Sequence, residues 1–141
     1  MTRTPSTSTV AIHDEYDIVH VRHAAREAAT TAGFSLVQQT KLVTAASELA
    51  RNALVHGGGG QADITIDNLR ANATVRMTFT DKGPGIPDIE AAMADGFTTG
   101  SGLGLGLGGA RRLADQFRLE STPGRGTVVE ISMSVRRSAG P

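Results

Sequence analysis

Three short stretches carry residue types that can do chemistry together. In "SELARNALVHG", Glu48 and Asn52 are four residues apart, so on a helix they share one face, a single turn from each other. A carboxylate there can take a proton or orient an attacking hydroxyl, and the amide oxygen of Asn52 is a hard ligand suited to Mg2+. The same spacing also describes a solvated polar pair on a helix surface. His56 continues this face one turn on, where the helix dipole favours a histidine and a phosphate would be within reach.

In "FTDKGPGIP", Asp81 closes an apolar strand and precedes a turn containing Gly83 and Gly85. A carboxylate in that position accepts a hydrogen bond from an exocyclic amine such as that of adenine, and the glycines let a flat base approach the backbone. Aspartate before Gly-Pro-Gly is equally ordinary turn chemistry.

The third stretch, "GSGLGLGLGGARRL", has glycine at every second position from Gly100 to Gly108 and runs into a helical pattern. Glycines that turn N–H groups inward, followed by a helix N-terminus, make an anion cradle, with phosphate as the leading candidate. Gly104, Gly106 and Gly109 satisfy the spacing G-x-G-x-x-G, with Glu120 as a downstream acid. That dinucleotide fingerprint needs a strand directly before it, and "AAMADGFTTGS" is a poor strand. A P-loop ends in Lys followed by Ser or Thr, whereas the lysines, Lys41 and Lys82, lie elsewhere. Taken alone, the run also fits a flexible lid or a closely packed helix start.

The elements that must hold these stretches are readable from periodicity. Thr9–His13 alternates like a short strand. Glu15–Ala32 follows as a helix with Ile18, Val21, Ala25 and Ala28 on one face, ended by Gly33. Ser35 caps a second helix from Leu36 to about His56, with Leu42, Ala45, Ala46, Leu49 and Ala53 as its buried stripe. "ADITIDNL" and "ATVRMTFTD" predict two antiparallel strands with one covered face. A helical turn is expected at Ile89–Met93, and helical spacing again through Ala110, Leu113, Ala114 and Phe117. "RLEST", the turn "PGRG" and "TVVEISMSV" predict a closing hairpin. The fold class is therefore α+β: a sandwich with helices on one face of a largely antiparallel sheet.

With 141 residues and 39% hydrophobic composition, one core and one domain are expected over residues 8–136, with flexible ends at 1–7 and 137–141. Fourteen basic residues balance fourteen acidic ones, so neither nucleic acid nor a membrane surface is an expected partner. The absence of cysteine removes disulfides, zinc-thiolate sites and a cysteine nucleophile. No apolar leader and no run near the roughly 20 apolar residues of a membrane span is evident, so a cytoplasmic location is expected.

In this order, the three stretches resemble the N, G1 and G2 boxes of the Bergerat-fold ATPases, the superfamily of gyrase B, the heat-shock chaperone ATPase, bacterial histidine kinases and anti-sigma-factor kinases. The resemblance covers roughly Leu42 to Ile131, including "GRGTVVEI". It implies a two-layer α/β sandwich with a mixed, largely antiparallel sheet, and use of ATP and Mg2+. It further implies Glu48 as the base for the attacking hydroxyl, Asn52 as the Mg2+ ligand, and Asp81 with Thr127 as readers of adenine. Gly83 and Gly85 would shape the base pocket, and Gly102, Gly104 and Gly106 would cradle the phosphates.

"DGFTTGSGLGLGLGGARRLADQF" looks particularly like the switch serine kinases of the bacterial stress-signalling module. Those relatives phosphorylate small STAS-domain antagonist proteins, and the chain's length leaves no room for a dimerisation helix pair or a transducer domain. The resemblance thus implies a serine/threonine protein kinase and partner-switching regulator, with a downstream phosphatase or sigma-factor regulator as second partner. The alternative it leaves open is an anti-sigma factor or regulator-binding module in which ATP only sets conformation. Arg111 and Arg112 point about a quarter-turn or more apart on a helix, so at most one faces the nucleotide.

Overall fold

The computed structural model describes residues 6–68, 71–93 and 106–136. The elements are β1 (Ser6–Ile12), α1 (Glu15–Ala32), α2 (Leu36–Val55), β2 (Gly60–Asn68), β3 (Asn72–Asp81), α3 (Ile89–Met93), α4 (Gly106–Leu113), β4 (Gln116–Thr122) and β5 (Gly126–Arg136). The strands form one sheet in the order β1-β2-β3-β5-β4, and every pairing is antiparallel.

Both long helices begin with reciprocal caps. The Asp14 carboxylate accepts the Asp17 N–H at 3.2 Å, and Asp17 in turn accepts the N–H groups of Asp14 and His13. The N–H of His13 beside it holds the Asp17 carboxyl below its ordinary range against partial desolvation, with smaller help from the Asp14 N–H and from His20. Ser35 and Gln38 repeat the device at the start of α2. Between the helices, Gly33 takes a left-handed φ of 84° and turns the chain back.

The helices pair through small residues: Ala25, Ala28, Ala29 and Ala32 of α1, and Ala45, Ala46, Ala50 and Ala53 of α2, are all buried. Their apolar sides lie on the inner face of the sheet, where Ile64, Val75, Met77, Phe79, Val129, Ile131 and Met133 complete the core. The outer face is polar. There Thr9 donates to Asp63 at 2.7 Å, the Thr74 and Ser134 hydroxyls meet at 2.8 Å, and Arg76 pairs with Glu130.

Two expectations are corrected. β1 starts at Ser6 rather than Thr9, so Ser6 and Thr7, read from the sequence as part of a free end, pair with Ile66 and Thr65. The helical spacing through Phe117 is interrupted, since α4 ends at Leu113. The Asp115 N–H turns to the Ser132 carbonyl at 3.0 Å, and Gln116 and Phe117 enter β4 opposite Ser132 and Ile131. Phe117 still packs on the core, but by strand alternation with Leu119. Of the expected flexible ends, residues 1–5 and 137–141 lie outside the described residues.

Candidate functional site

The buried positions of β3 alternate as Ala73, Val75, Met77, Phe79 and Asp81, and those of β5 include Thr127, Val129, Ile131 and Met133. Strand alternation therefore places a carboxylate and a hydroxyl where the series calls for apolar side chains. Asp81 and Thr127 are direct partners in the β3–β5 ladder and are 8% and 4% exposed. Among the described residues, the Asp81 carboxylate takes one hydrogen bond, from the Gly83 N–H to Oδ1 at 2.9 Å. Its second oxygen keeps its acceptor capacity.

Glycines pack closely around this carboxylate. The chain leaves α2 through His56, the helix C-cap, and Gly57 donates back to the Ala53 carbonyl at 3.1 Å. A Cβ at Gly57 would overlap the Asp81 carboxyl carbon, and a Cβ at Gly83 would lie 2.6 Å from the Gly57 Cα. The end of α2 and the turn after β3 thus touch at a point that tolerates no side chain, and that contact fixes where the carboxylate stands.

Gly85, at a φ of 82°, leans on the β4–β5 turn, where an added Cβ would meet the Thr122 carbonyl oxygen at 2.7 Å. The Gly124 N–H donates to the Pro84 carbonyl at 2.8 Å, and the Ile86 N–H donates to Ser121 Oγ at 2.7 Å. Ser121 Oγ also lies 3.0 Å from Thr127 Oγ1. The loop carrying Gly83 and Gly85 is therefore stitched to the hairpin that carries Thr127.

Glu48 and Asn52 are both half-buried on α2, one turn apart, and among the described residues neither side chain forms a hydrogen bond or ion pair. Two polar groups on one face, held by a rigid helix and committed to nothing else, are available for a ligand. Asn52 offers one neutral oxygen, which suits an ion that keeps its waters and borrows phosphate oxygens from a substrate. Arg111 and Arg112 are exposed in the last turn of α4, and Glu120, the acid of the discarded dinucleotide spacing, is exposed and paired with Arg118 at 3.2 Å.

The structure thus brings Asp81, Thr127, Gly83 and Gly85 together beside the C-terminal end of α2. Gly106 opens α4, whereas Gly102 and Gly104 lie outside the described residues. Sequence reasoning missed Gly57 and Ser121. Gly57 lies just past the expected end of the second helix at His56, and Ser121 lies within the expected strand "RLEST". No helix among the described residues is long and apolar enough to cross a membrane.

Comparison with known proteins adds a family to this geometry. Residues 37–137 match the family described as histidine kinase-, DNA gyrase B-, and HSP90-like ATPase. The chain is 45% identical over 123 residues to the serine/threonine-protein kinase RsbT of Bacillus subtilis (strain 168), covering 87% of this chain and 92% of that protein. It is 32% identical over 104 residues to an anti-sigma F factor of Bacillus licheniformis, covering 70% of this chain and 71% of that protein. Among solved structures, the RsbU and RsbW domains of a Mycobacterium tuberculosis protein share the fold. There the TM-score is 0.62 at 19% identity, over 94% of this chain and 33% of the longer one.

Proposed function

The chain belongs to the histidine kinase-, DNA gyrase B- and HSP90-like ATPase family and is a serine/threonine-protein kinase within it. On that premise we propose that its phosphoryl acceptor is a small STAS-domain antagonist protein in a bacterial stress or sigma-factor switch. ATP is the phosphoryl donor. Asp81 accepts from the exocyclic amine of adenine, Thr127 completes the base contact, and Gly83 and Gly85 give the ring its room. The observation that carries this reading is the pairing of Asp81 with Thr127 on the inner face of the sheet, beside the end of the helix that bears Glu48 and Asn52.

Glu48 takes the proton of the attacking hydroxyl as its oxygen bonds to the γ-phosphorus and ADP leaves. Positioning and charge neutralisation supply most of such a transfer, so no covalent enzyme intermediate is required. Asn52 is the residue that would hold Mg2+, which when bound neutralises charge on the phosphate oxygens. Gly102, Gly104 and Gly106 cradle those phosphates, and the domain comprises residues 6–136, since Ser6 and Thr7 pair within the sheet. Phosphorylation releases the antagonist, which frees the kinase in the cytoplasm for a downstream phosphatase or sigma-factor regulator.

The similarity to an anti-sigma F factor favours one second reading, a binding module in which ATP only sets conformation. Incubating the purified chain with γ-labelled ATP, Mg2+ and STAS proteins from the same genome separates the two. Label on a serine or threonine that disappears in Glu48→Ala supports the kinase reading. Tight ATP binding without transfer to any STAS protein supports the second, and failure to bind ATP overturns both.

A further inference from the structure

We propose that Ser121 is a positioning residue that sets the direction in which Thr127 offers its hydroxyl, and through it the choice between purines. The inference rests on the reading of Asp81 and Thr127 as the residues that meet the base. Ser121 Oγ accepts the Ile86 N–H at 2.7 Å and has two acceptors in range, Thr127 Oγ1 at 3.0 Å and the Gly126 carbonyl at 3.4 Å. A serine hydroxyl has a single proton, and hydrogen bonds between oxygens weaken steeply toward the longer of these distances. Either oxygen of the Ser121–Thr127 pair can donate in that contact, and the proposal assigns the serine proton to the shorter of the two, to Thr127 Oγ1. With that lone pair occupied, Thr127 keeps its own proton to donate outward.

The neighbouring Asp81 carboxylate only accepts. The end of the sheet accordingly presents an acceptor beside a donor. Adenine offers the complement, an exocyclic amine next to the N1 acceptor. A 6-oxopurine offers the reverse, a carbonyl oxygen next to an N1–H, and its carbonyl would face the carboxylate. Asp81 can play only one part, so the sign of the second contact is decided by which way the Ser121–Thr127 bond runs. The Ile86 N–H ties the same serine oxygen to the loop of Gly83 and Gly85, so one atom sets both the loop and the hydroxyl.

The test measures equilibrium binding of ATP and of inosine triphosphate to the full chain and compares their ratio across variants. Ser121→Ala removes the hydroxyl. Ser121→Thr and Ser121→Val form a nearly isosteric pair that suits a strand and differs in the hydroxyl alone, which keeps the comparison valid if Ser121→Ala fails to fold. Wild type and Ser121→Thr are expected to share one preference for ATP, and Ser121→Val and Ser121→Ala to lower it by about five- to tenfold, the worth of one neutral hydrogen bond. An unchanged ratio in Ser121→Val, or an equal loss of affinity for both nucleotides, overturns the inference. Equal binding of both nucleotides by the wild type overturns it while leaving nucleotide binding intact, whereas wild type that binds neither overturns the parent reading.

Discussion

Asp81 and Thr127 face each other across β3 and β5 at the end of the sheet where the inner-face series changes from apolar to polar. Because the two positions are locked by the ladder, their side chains cannot drift apart without breaking strand register. On the proposed reading, the pair that recognises the base is built from backbone pairing.

Asp81→Asn keeps the shape of the side chain and an oxygen for the Gly83 N–H, but turns the second position from acceptor into donor. Calorimetric titration should show ATP affinity falling by about tenfold or more, the cost of a mismatched buried polar contact. The thermal midpoint should stay close to wild type.

Glu48→Gln should lower phosphoryl transfer by about a hundredfold to ten-thousandfold, the usual worth of a general base. ATP affinity should hold, because the substitution leaves the base pocket untouched. Asn52→Ala should instead remove the Mg2+ dependence of nucleotide binding, measured by titrating the metal at fixed ATP. An unchanged Mg2+ titration would remove Asn52 from its role.

Gly57→Ala places a methyl group against the Asp81 carboxyl. Overpacking of this kind costs about 1–3 kcal/mol, so urea denaturation should show a loss in that range. Nucleotide affinity should fall in the same variant, since the carboxylate must move to make room. A Gly57→Ala protein that is destabilised yet binds ATP like wild type would separate Gly57 from the site.

Asp17 predicts a pH effect far from the site. Its carboxyl is held below the ordinary value of 3.8 by the N–H of His13. A depressed value means the ionised form favours the folded state, so its contribution is present above about pH 4 and is lost as pH falls through the folded value. Thermal midpoints of Asp17→Asn should lie below wild type at neutral pH, and the gap should close as the pH is lowered through the depressed folded value.

How much of this was legible in the sequence follows the range of the forces involved. α1 was readable to both ends, because its periodicity and Gly33 are local signals. The box residues were found through their joint resemblance to a family, since Glu48, Asn52 and Asp81 each had an ordinary explanation alone. Gly57 and Ser121 were illegible because their roles lie in contacts between distant segments. Ser121 meets Ile86 across 35 positions of chain, and no local pattern encodes that meeting. The end of α4 was misread because Ala110, Leu113, Ala114 and Phe117 satisfy helical spacing, while the competing pull came from β5, which local periodicity does not contain.

Among the described residues β5 is the last strand; it lies inside the sheet between β3 and β4 and is the one neighbour β4 has there. On the ribosome, every earlier element therefore emerges before the strand that joins the sheet's two parts. A nascent chain paused before residue 126 holds Asp81 without Thr127 and leaves the long edge of β3 open to any stray strand. Emergence of β5 is thus itself the event that sets Thr127 beside Asp81, and a chain cut short in this hairpin is an aggregation hazard rather than a slightly weakened fold.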